Sequence, residues 1–447
     1  MKGRWFAGLF LVMGAGGSLH LAVINPPFQS ADEATHFLRA AQIARGGLVA
    51  ERGPTGDTGG RTPETLLRLA RAFNDLQFRS RAPIDPRRLD RAASVRWAGP
   101  LVWARFYNTA IYPPWFYGPQ AIAIDLARLS GVRVLSTLHA ARIAVALCAT
   151  LLATIAIGLA ATGAPLMAFI LALPMTQSLF ASAAQDGMLI ATTACLVAFL
   201  SRRLSSGTGW RAWLLAGIVF GAVGGARLPL LTFSFLPVVV AWRTRDRIRG
   251  LAASLIGAAV TIVWLSEGAG PVMLEARHGG SVFAGAQMHF LLSHPMAIPI
   301  IAGDTLRLNG WNYWHELIGV LNWLDVPLPP RVYAGISAMG IVLVGTLVLG
   351  RRSVRREVPV VGIAMVILVT VAATFLALDL AWTKPGASVV DGVQGRYFIP
   401  VALVATLFCP PTRPGWPERI ANSMVALLLL VDLAVLPGVI ELHYRFG

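Results

Sequence analysis

The first residues able to do chemistry follow directly on the first apolar block, in the run Asn25-Pro26-Pro27-Phe28-Gln29-Ser30-Ala31-Asp32-Glu33-Ala34-Thr35-His36-Phe37-Leu38-Arg39. The prolines end the preceding helix. Ser30 with Glu33 three residues on has the spacing of a capping box, so a helix is expected over 31–45, stopping at Gly46-Gly47. On that helix Asp32, His36 and Arg39 stand at i, i+4 and i+7 and share one face. A carboxylate, an imidazole and a guanidinium held together can take a proton from a hydroxyl and hold an anion. Glu33 beside them is a second acid, although an acid in the first turn of a helix also complements the macrodipole, and the two readings weigh evenly for it.

Polar groups recur at three later places: Asp186, Arg227, and Asp391-Gly392-Val393-Gln394-Gly395-Arg396-Tyr397. A charge in or at the end of a membrane helix costs a few kcal/mol unless it is paired or functional. The structural alternative is an ion pair of Asp186 with Arg227. Arg396 opens an apolar block straight after a polar loop, which suits it to reach into a cavity, with Gln394 and Tyr397 beside it as hydrogen-bonding groups. Tyr112 and Tyr117 belong to an aromatic stretch, 107–119, whose simpler reading is an interfacial belt. Trp311, Trp314 and Trp323 suit sugar stacking or the same belt. His289, His294 and His315 are spaced too irregularly for a zinc site, and no metal is assigned.

The elements that must position these groups are membrane helices. Of 447 residues, 55% are AVILMFWYC and only 13% are charged, against about 25% charged in soluble proteins. The apolar residues come in blocks of roughly 15 to 23, as in an all-α polytopic membrane protein. The charge of +16 comes almost wholly from Arg, since Lys occurs only at 2 and 384. Basic residues flanking apolar blocks fit the positive-inside bias and lipid phosphate better than nucleic acid. Cys148, Cys195 and Cys409 suggest neither a disulfide framework nor a metal motif.

The block 5–24, preceded by Lys2 and Arg4, reads as an anchor with a cytoplasmic N-terminus. The loop 25–117 is then extracytoplasmic, with a mobile Gly-rich part at 46–61 and an interfacial helix at 62–73 lying on the membrane. Its arginines 79, 81, 87, 88, 91 and 96 read as solvated or lipid-facing. Three Arg-rich loops are assigned to the cytoplasm: Arg202, Arg203 and Arg211; Arg243, Arg245, Arg247 and Arg249; Arg351, Arg352, Arg355 and Arg356. A second large outer loop covers 267–330, and 381–395 is outside too. The blocks 118–130, 136–161, 164–180 and 182–200 number four where an odd number of crossings is needed. The half-span is assigned to 164–180, which holds Pro174, Thr176, Gln177 and Ser178. The chain is thus expected to be one integral membrane domain, 1–447, of about eleven spans (roughly nine to thirteen).

The combination of Pro27, Asp32-Glu33-x-x-His36-x-x-Arg39-Ala40, the segment Ser182 to Asp186, Asn322-Trp323-Leu324-Asp325-x-Pro327 and Gln394-Gly395-Arg396-Tyr397-Phe398 resembles an uncharacterised family of bacterial polytopic proteins grouped with the GT-C superfamily of membrane glycosyltransferases. The likeness extends from the first span to about residue 410, and Arg227 departs from it where relatives generally have Lys. It implies a GT-C-like fold and transfer of a sugar from a polyprenyl-phosphate-linked donor to a glycan or lipid acceptor, at the extracytoplasmic face of the bacterial inner membrane. On this implication Asp32 is the general base, Glu33 an alternate or orienting acid, and His36 holds the carboxylate or the donor. Arg227 and Arg396 bind the donor phosphate, and Arg39 holds the helix or assists them. Asp186, Gln394, Tyr397, Tyr112 and Tyr117 are the substrate-binding candidates. No cofactor is required, although some GT-C enzymes use a divalent metal. The partners expected are the lipid-linked donor, the acceptor and membrane lipids. The competing readings are a lipid-linked sugar flippase, which would place its polar groups near the midplane and show repeats, and a non-catalytic subunit of polysaccharide assembly, which would not need Asp32.

Overall fold

The computed structural model describes residues 2–79, 81–204, 209–242, 244–274, 276–277, 282–350, 359–409 and 415–444. Arg243, Arg351, Arg352, Arg355 and Arg356 lie outside the described residues. Within it the chain is mostly helical. Among the described residues, six helices are long and apolar enough to cross a membrane: Phe6–Ile24, Val134–Leu159, Arg247–Val272, Pro330–Leu349, Val360–Trp382 and Trp416–His443. Trp210–Ala226, Leu228–Ala241 and Gly395–Phe408 are apolar but shorter. The protein is therefore a helical membrane protein.

Small residues set how closely its helices pack. Along Trp210–Ala226, Gly217, Gly221 and Gly224 form one stripe. A Cβ at Gly217 would stand 2.6 Å from the carbonyl oxygen of Ala253, and one at Gly221 would stand 2.6 Å from that of Gly257. The helix Arg247–Val263 thus lies backbone to backbone against this stripe, and the Thr261 hydroxyl donates to the Gly221 carbonyl at 3.0 Å. Where lipid tails remove any hydrophobic preference for helix over solvent, such close approach is the main source of association.

Hydrogen bonds between helix ends fix which end of the bundle each reaches. The Val134 N–H donates to the Val95 carbonyl, so Val134–Leu159 starts at the end that carries the first loop. Its far end meets the far end of Asp186–Arg203, where the Ala161 N–H donates to Ser201 Oγ at 2.9 Å. The segment before Asp186 is back at the loop end, with the Ala183 N–H donating to Glu33 Oε1 at 3.0 Å. Residues 164–180 therefore run from one end to the other, as two helices, Ala164–Leu171 and Pro174–Phe180. Gly118–Leu129 instead pairs with the first part of Val134–Leu159 and stays at the loop end, where Gln120 Nε2 donates to the Ala184 carbonyl at 3.3 Å. The expectation is reversed: the odd block is 118–130 and not 164–180. Thr176 and Gln177, the polar residues on which the half-span assignment rested, have a local task. Their side chains donate to the carbonyls of Ile170 and Leu171, each at 2.9 Å, and so satisfy the groups freed where Pro174 breaks the helix.

The first loop is built on a three-stranded antiparallel sheet of β1 (Glu51–Arg52), β2 (Thr58–Pro63) and β3 (Leu101–Arg105), in that order. The Gly-rich stretch expected to be mobile is part of this sheet. A Cβ at Gly59 would lie 1.9 Å from the Ala104 carbonyl oxygen, so glycine serves close strand approach there. The following helix, Glu64–Arg71, buries Leu66, Leu67, Leu69 and Ala70 within the protein, which replaces the expected seat on the membrane surface. In the second loop, Ala297–Gly319 turns Trp311 outward, 70% exposed, whereas Trp323 is carried inward by the hairpin of Val320–Leu321 with Val326–Pro327.

Candidate active site

The helix expected from Ser30 begins at Glu33 and ends at Ile43. No capping box forms. The Ser30 hydroxyl accepts from Asn25 Nδ2 at 2.9 Å, and Glu33 turns away from its own helix end. Asp32, just before the helix, sits in the left-handed region with φ 59°. That conformation breaks the arithmetic that placed Asp32, His36 and Arg39 on one face.

Glu33 meets Arg142, a lone charge inside the Val134–Leu159 helix. Both side chains are wholly buried, and Arg142 Nε donates to Glu33 Oε1 at 2.8 Å. The remaining guanidinium N–H groups reach Glu33 Oε2 and the carbonyls of Ala22, Asn25 and Pro26. This ties the end of the first span to the start of the loop helix. Glu33 is thereby corrected from a catalytic to a structural group. Arg39 is corrected as well: its guanidinium is fully buried and donates to Gln42 Oε1 and to the carbonyls of Gly47, Leu48 and Tyr112. It closes the chain after the helix and is not among the groups lining the cavity.

Asp32 and His36 line a cavity of about 510 Å³. Arg227, Gln394, Arg396 and Tyr397 line it with them, joined by Asn108 and Tyr112. Arg396 Nη2 stands 3.3 Å from Asp32 Oδ2, and Asn108 Nδ2 donates to Asp32 Oδ1 at 2.9 Å. The Arg396 Nε is held by Gln394 Oε1 at 2.6 Å. Arg227, at the end of Trp210–Ala226, pairs with Asp186 and lies over the Tyr397 ring at 4.3 Å, with Arg396 at 5.5 Å from the same ring centre. Two guanidiniums thus lie against one aromatic ring, each with one carboxylate. Asp186 does not line the cavity; it stands behind Arg227 as the ion pair weighed against a binding role.

His36 Nδ1 is 2.6 Å from the Tyr117 hydroxyl, and its ring stacks on Tyr112 at 5.8 Å and 9°. Burial, opposed by the carboxylates of Asp186 and Asp32, lowers the His36 pKa to about 4, so the imidazole is neutral at physiological pH. Burial likewise pushes Tyr112 up to about 12 and keeps its phenol protonated. Tyr117 is fully buried and orients His36 from outside the cavity. The aromatic stretch 107–119 is thus built into the site, and the belt reading does not account for Tyr112 or Tyr117.

The opposite wall is apolar. Leu228, Pro229 and Leu230, from the 3-10 helix Leu228–Phe235, face Ala377, Leu378 and Ala381 of the helix Val360–Trp382. The space therefore has a charged end at the loops and an apolar flank between membrane-spanning elements. Such a shape takes a molecule with an anionic head and a hydrocarbon tail.

Several contributors were not singled out from the sequence. Arg142 carries the one available signal, a lone charge deep in an apolar block. Asn108 has none. Glu316 accepts the Gly395 N–H at 2.6 Å and so sets the turn that presents Arg396. Gly395 is required there, because a Cβ would stand 2.0 Å from the Tyr313 carbonyl oxygen. No curated protein and no solved structure matches the chain. One family does, over residues 17–405 and hence across every residue of the cavity named above. The chain belongs to that family, described as "Predicted membrane protein (DUF2142)".

Proposed function

We propose that this cavity is the active site of a GT-C-type glycosyltransferase. It moves a sugar from a polyprenyl-phosphate-linked donor to a glycan or lipid acceptor at the extracytoplasmic face of the bacterial inner membrane, on a fold of about eleven crossings. The observation that carries this reading is the Asp32–Arg396 pair at 3.3 Å, in a cavity that also holds Arg227 and continues along an apolar wall.

The donor phosphate binds between Arg227 and Arg396, with its isoprenoid chain along Leu228–Leu230. Arg396 then serves the phosphate and loosens its hold on Asp32, whose side chain is 35% exposed and open to an acceptor. As an acceptor hydroxyl oxygen forms its bond to the anomeric carbon, Asp32 takes the hydroxyl proton and the bond from that carbon to the phosphate oxygen breaks. The leaving polyprenyl phosphate gains a negative charge, which the two guanidiniums stabilise. Neutral His36, oriented by Tyr117, hydrogen-bonds the substrate without adding charge. Gln394 holds Arg396, and the Tyr397 ring packs against both guanidiniums. The product has inverted configuration, because the acceptor oxygen displaces the phosphate oxygen in a single step at the anomeric carbon.

The test is transfer from radiolabelled polyprenyl-phosphate sugars to membrane glycolipids by the protein in nanodiscs. Wild type is expected to transfer, and Asp32→Asn and Arg396→Ala to lose transfer while staying folded. Donor binding that needs Arg396 but not Asp32, with no transfer or hydrolysis, would favour a flippase or a binding subunit.

A further inference from the structure

Among the described residues, five other than glycine adopt the left-handed backbone region: Phe28 (φ 62°), Asp32 (59°), Phe78 (58°), Asn322 (57°) and Leu324 (60°). A side chain in that region costs roughly 1 kcal/mol or more, and such residues gather where a site over-determines them. Here they gather around one rim. Asp32, Phe78 and Leu324 line the cavity, and Phe28 and Asn322 hold a fourth lining residue, Trp323. The Trp323 indole N–H donates to the Phe28 carbonyl at 3.3 Å, and Asn322 Nδ2, next along the chain, donates to the Tyr444 hydroxyl at 2.9 Å.

Phe78 belongs to the first loop and Trp323 to the second, 245 residues later (323 minus 78). They meet because the Phe78 N–H donates to Asp325 Oδ2 at 2.9 Å. Their rings lie edge to face, with centroids 5.3 Å apart at 62°. Phe78 is nonetheless 72% exposed. A phenylalanine held in a disfavoured backbone conformation and left largely in solvent gains little from burial, so its value lies in what it presents. It presents an aromatic face at the mouth of the cavity that contains Asp32. The rim is made of inter-helix loops, whereas the hydrocarbon-facing wall is made of Leu228–Leu230 and Leu378, so a lipid tail has no need of it.

We propose that Phe78 and Trp323 form a carbohydrate subsite, in which a pyranose of the acceptor lies with its C–H face on the aromatic rim while one hydroxyl reaches Asp32. The inference deepens the glycosyltransferase reading and rests on it for the role of acceptor. Aromatic rings suit this ligand because a pyranose offers an apolar face of C–H groups and a rim of hydroxyls, and Asn108 and Asp32 supply polar partners beside the rings. Asp325 is a positioning residue, since it accepts the Phe78 backbone N–H and does not itself line the cavity.

The test separates this subsite from the reaction. In nanodiscs, Phe78→Ala should raise the acceptor KM about tenfold, with donor KM and unfolding temperature unchanged, and Phe78→Tyr should keep the wild-type acceptor KM. Asp325→Ala should raise acceptor KM in the same way. If wild type shows no transfer, binding of cellotetraose, maltotetraose and chitotetraose is measured directly by tryptophan fluorescence and calorimetry. Saturable binding that Phe78→Ala loses and Phe78→Tyr keeps upholds the subsite even as the transfer reading fails. An acceptor KM unmoved by Phe78→Ala, a donor KM raised equally, or no saturable sugar binding by an inactive wild type overturns it.

Discussion

Replacing Glu33 and Asp32 in turn separates stability from chemistry, because these neighbours stand in opposite environments. Glu33 and Arg142 are both 0% exposed, and the guanidinium makes five hydrogen bonds, two of them to the Glu33 carboxylate and three to backbone carbonyls. Glu33→Ala leaves Arg142 buried with its carbonyl partners and no carboxylate. Breaking such a buried pair from one side costs about 3–5 kcal/mol, a large part of the roughly 5–15 kcal/mol that holds a typical protein folded. Asp32 is 35% exposed and touches the buried Arg396 at 3.3 Å, so only its own end of the pair is screened by solvent, while Arg396 keeps the Gln394 amide oxygen as a second partner. Asp32→Asn retains an acceptor oxygen and should cost about 1 kcal/mol or less. Fluorescence-detected thermal unfolding in nanodiscs, run beside the transfer assay, reads both effects. Glu33→Ala is expected to lower the unfolding temperature strongly and to reduce the folded yield, and the double variant Glu33→Leu with Arg142→Met to recover much of the loss. Asp32→Asn is expected to unfold close to wild type and to transfer nothing. A Glu33→Ala protein as stable as wild type, or an Asp32→Asn protein as unstable as Glu33→Ala, would refute the division of labour.

Gly395→Ala places a Cβ 2.0 Å from the Tyr313 carbonyl oxygen and must push the Arg396 turn off Ala297–Gly319; donor affinity should fall at least about tenfold, measured by titration with polyprenyl phosphate. Arg396→Ala removes charge-assisted hydrogen bonds worth about 1.5–3 kcal/mol, so the same titration should show a Kd raised by roughly 10- to 150-fold. His36 has a folded pKa of about 4 against 6.5 in the unfolded chain, so unfolding takes up a proton between those values. Its contribution to stability is constant above pH 6.5 and is lost as pH falls from 6.5 towards 4; unfolding midpoints across that range should flatten in His36→Gln. Gly59→Ala drives a Cβ to within 1.9 Å of the Ala104 carbonyl oxygen and should loosen the pairing of β2 with β3, read as faster amide exchange in those strands.

Much of the site was legible in the residue order. Asp32, His36, Arg227, Gln394, Arg396 and Tyr397 stand out in the sequence as groups able to do chemistry, and the structure brings all six to one cavity, together with Tyr112, whose simpler sequence reading is an interfacial belt. Charged and amide side chains at a membrane boundary are expensive to keep without a purpose, which made them conspicuous. Roles within that set were less legible. The capping-box spacing of Ser30 and Glu33 is real, yet a fully buried Arg142 competes for the same carboxylate with a stronger, charge-assisted interaction. Helical periodicity put Arg39 with Asp32, but Asp32 lies outside the helix in a left-handed turn. The glycines of 46–61 looked mobile because composition cannot tell a flexible glycine from one pressed against a neighbouring strand.

What the sequence by itself determined is what depends on local runs of residues. Apolar blocks long enough for a bilayer require helices there, since backbone groups in hydrocarbon must bond within the segment, and the polar clusters mark where those helices end. Tertiary structure alone decided which polar group meets which. The Glu33–Arg142 pair joins residues 109 apart, and the Asp32–Arg396 pair joins residues 364 apart. The same packing chose 118–130 over 164–180 as the block that does not run the length of the bundle. Hydropathy and spacing describe a segment's affinity for its surroundings. The partner of a buried charge is settled by which helices fit together closely enough to leave it no other acceptor, and that is a property of the assembled chain.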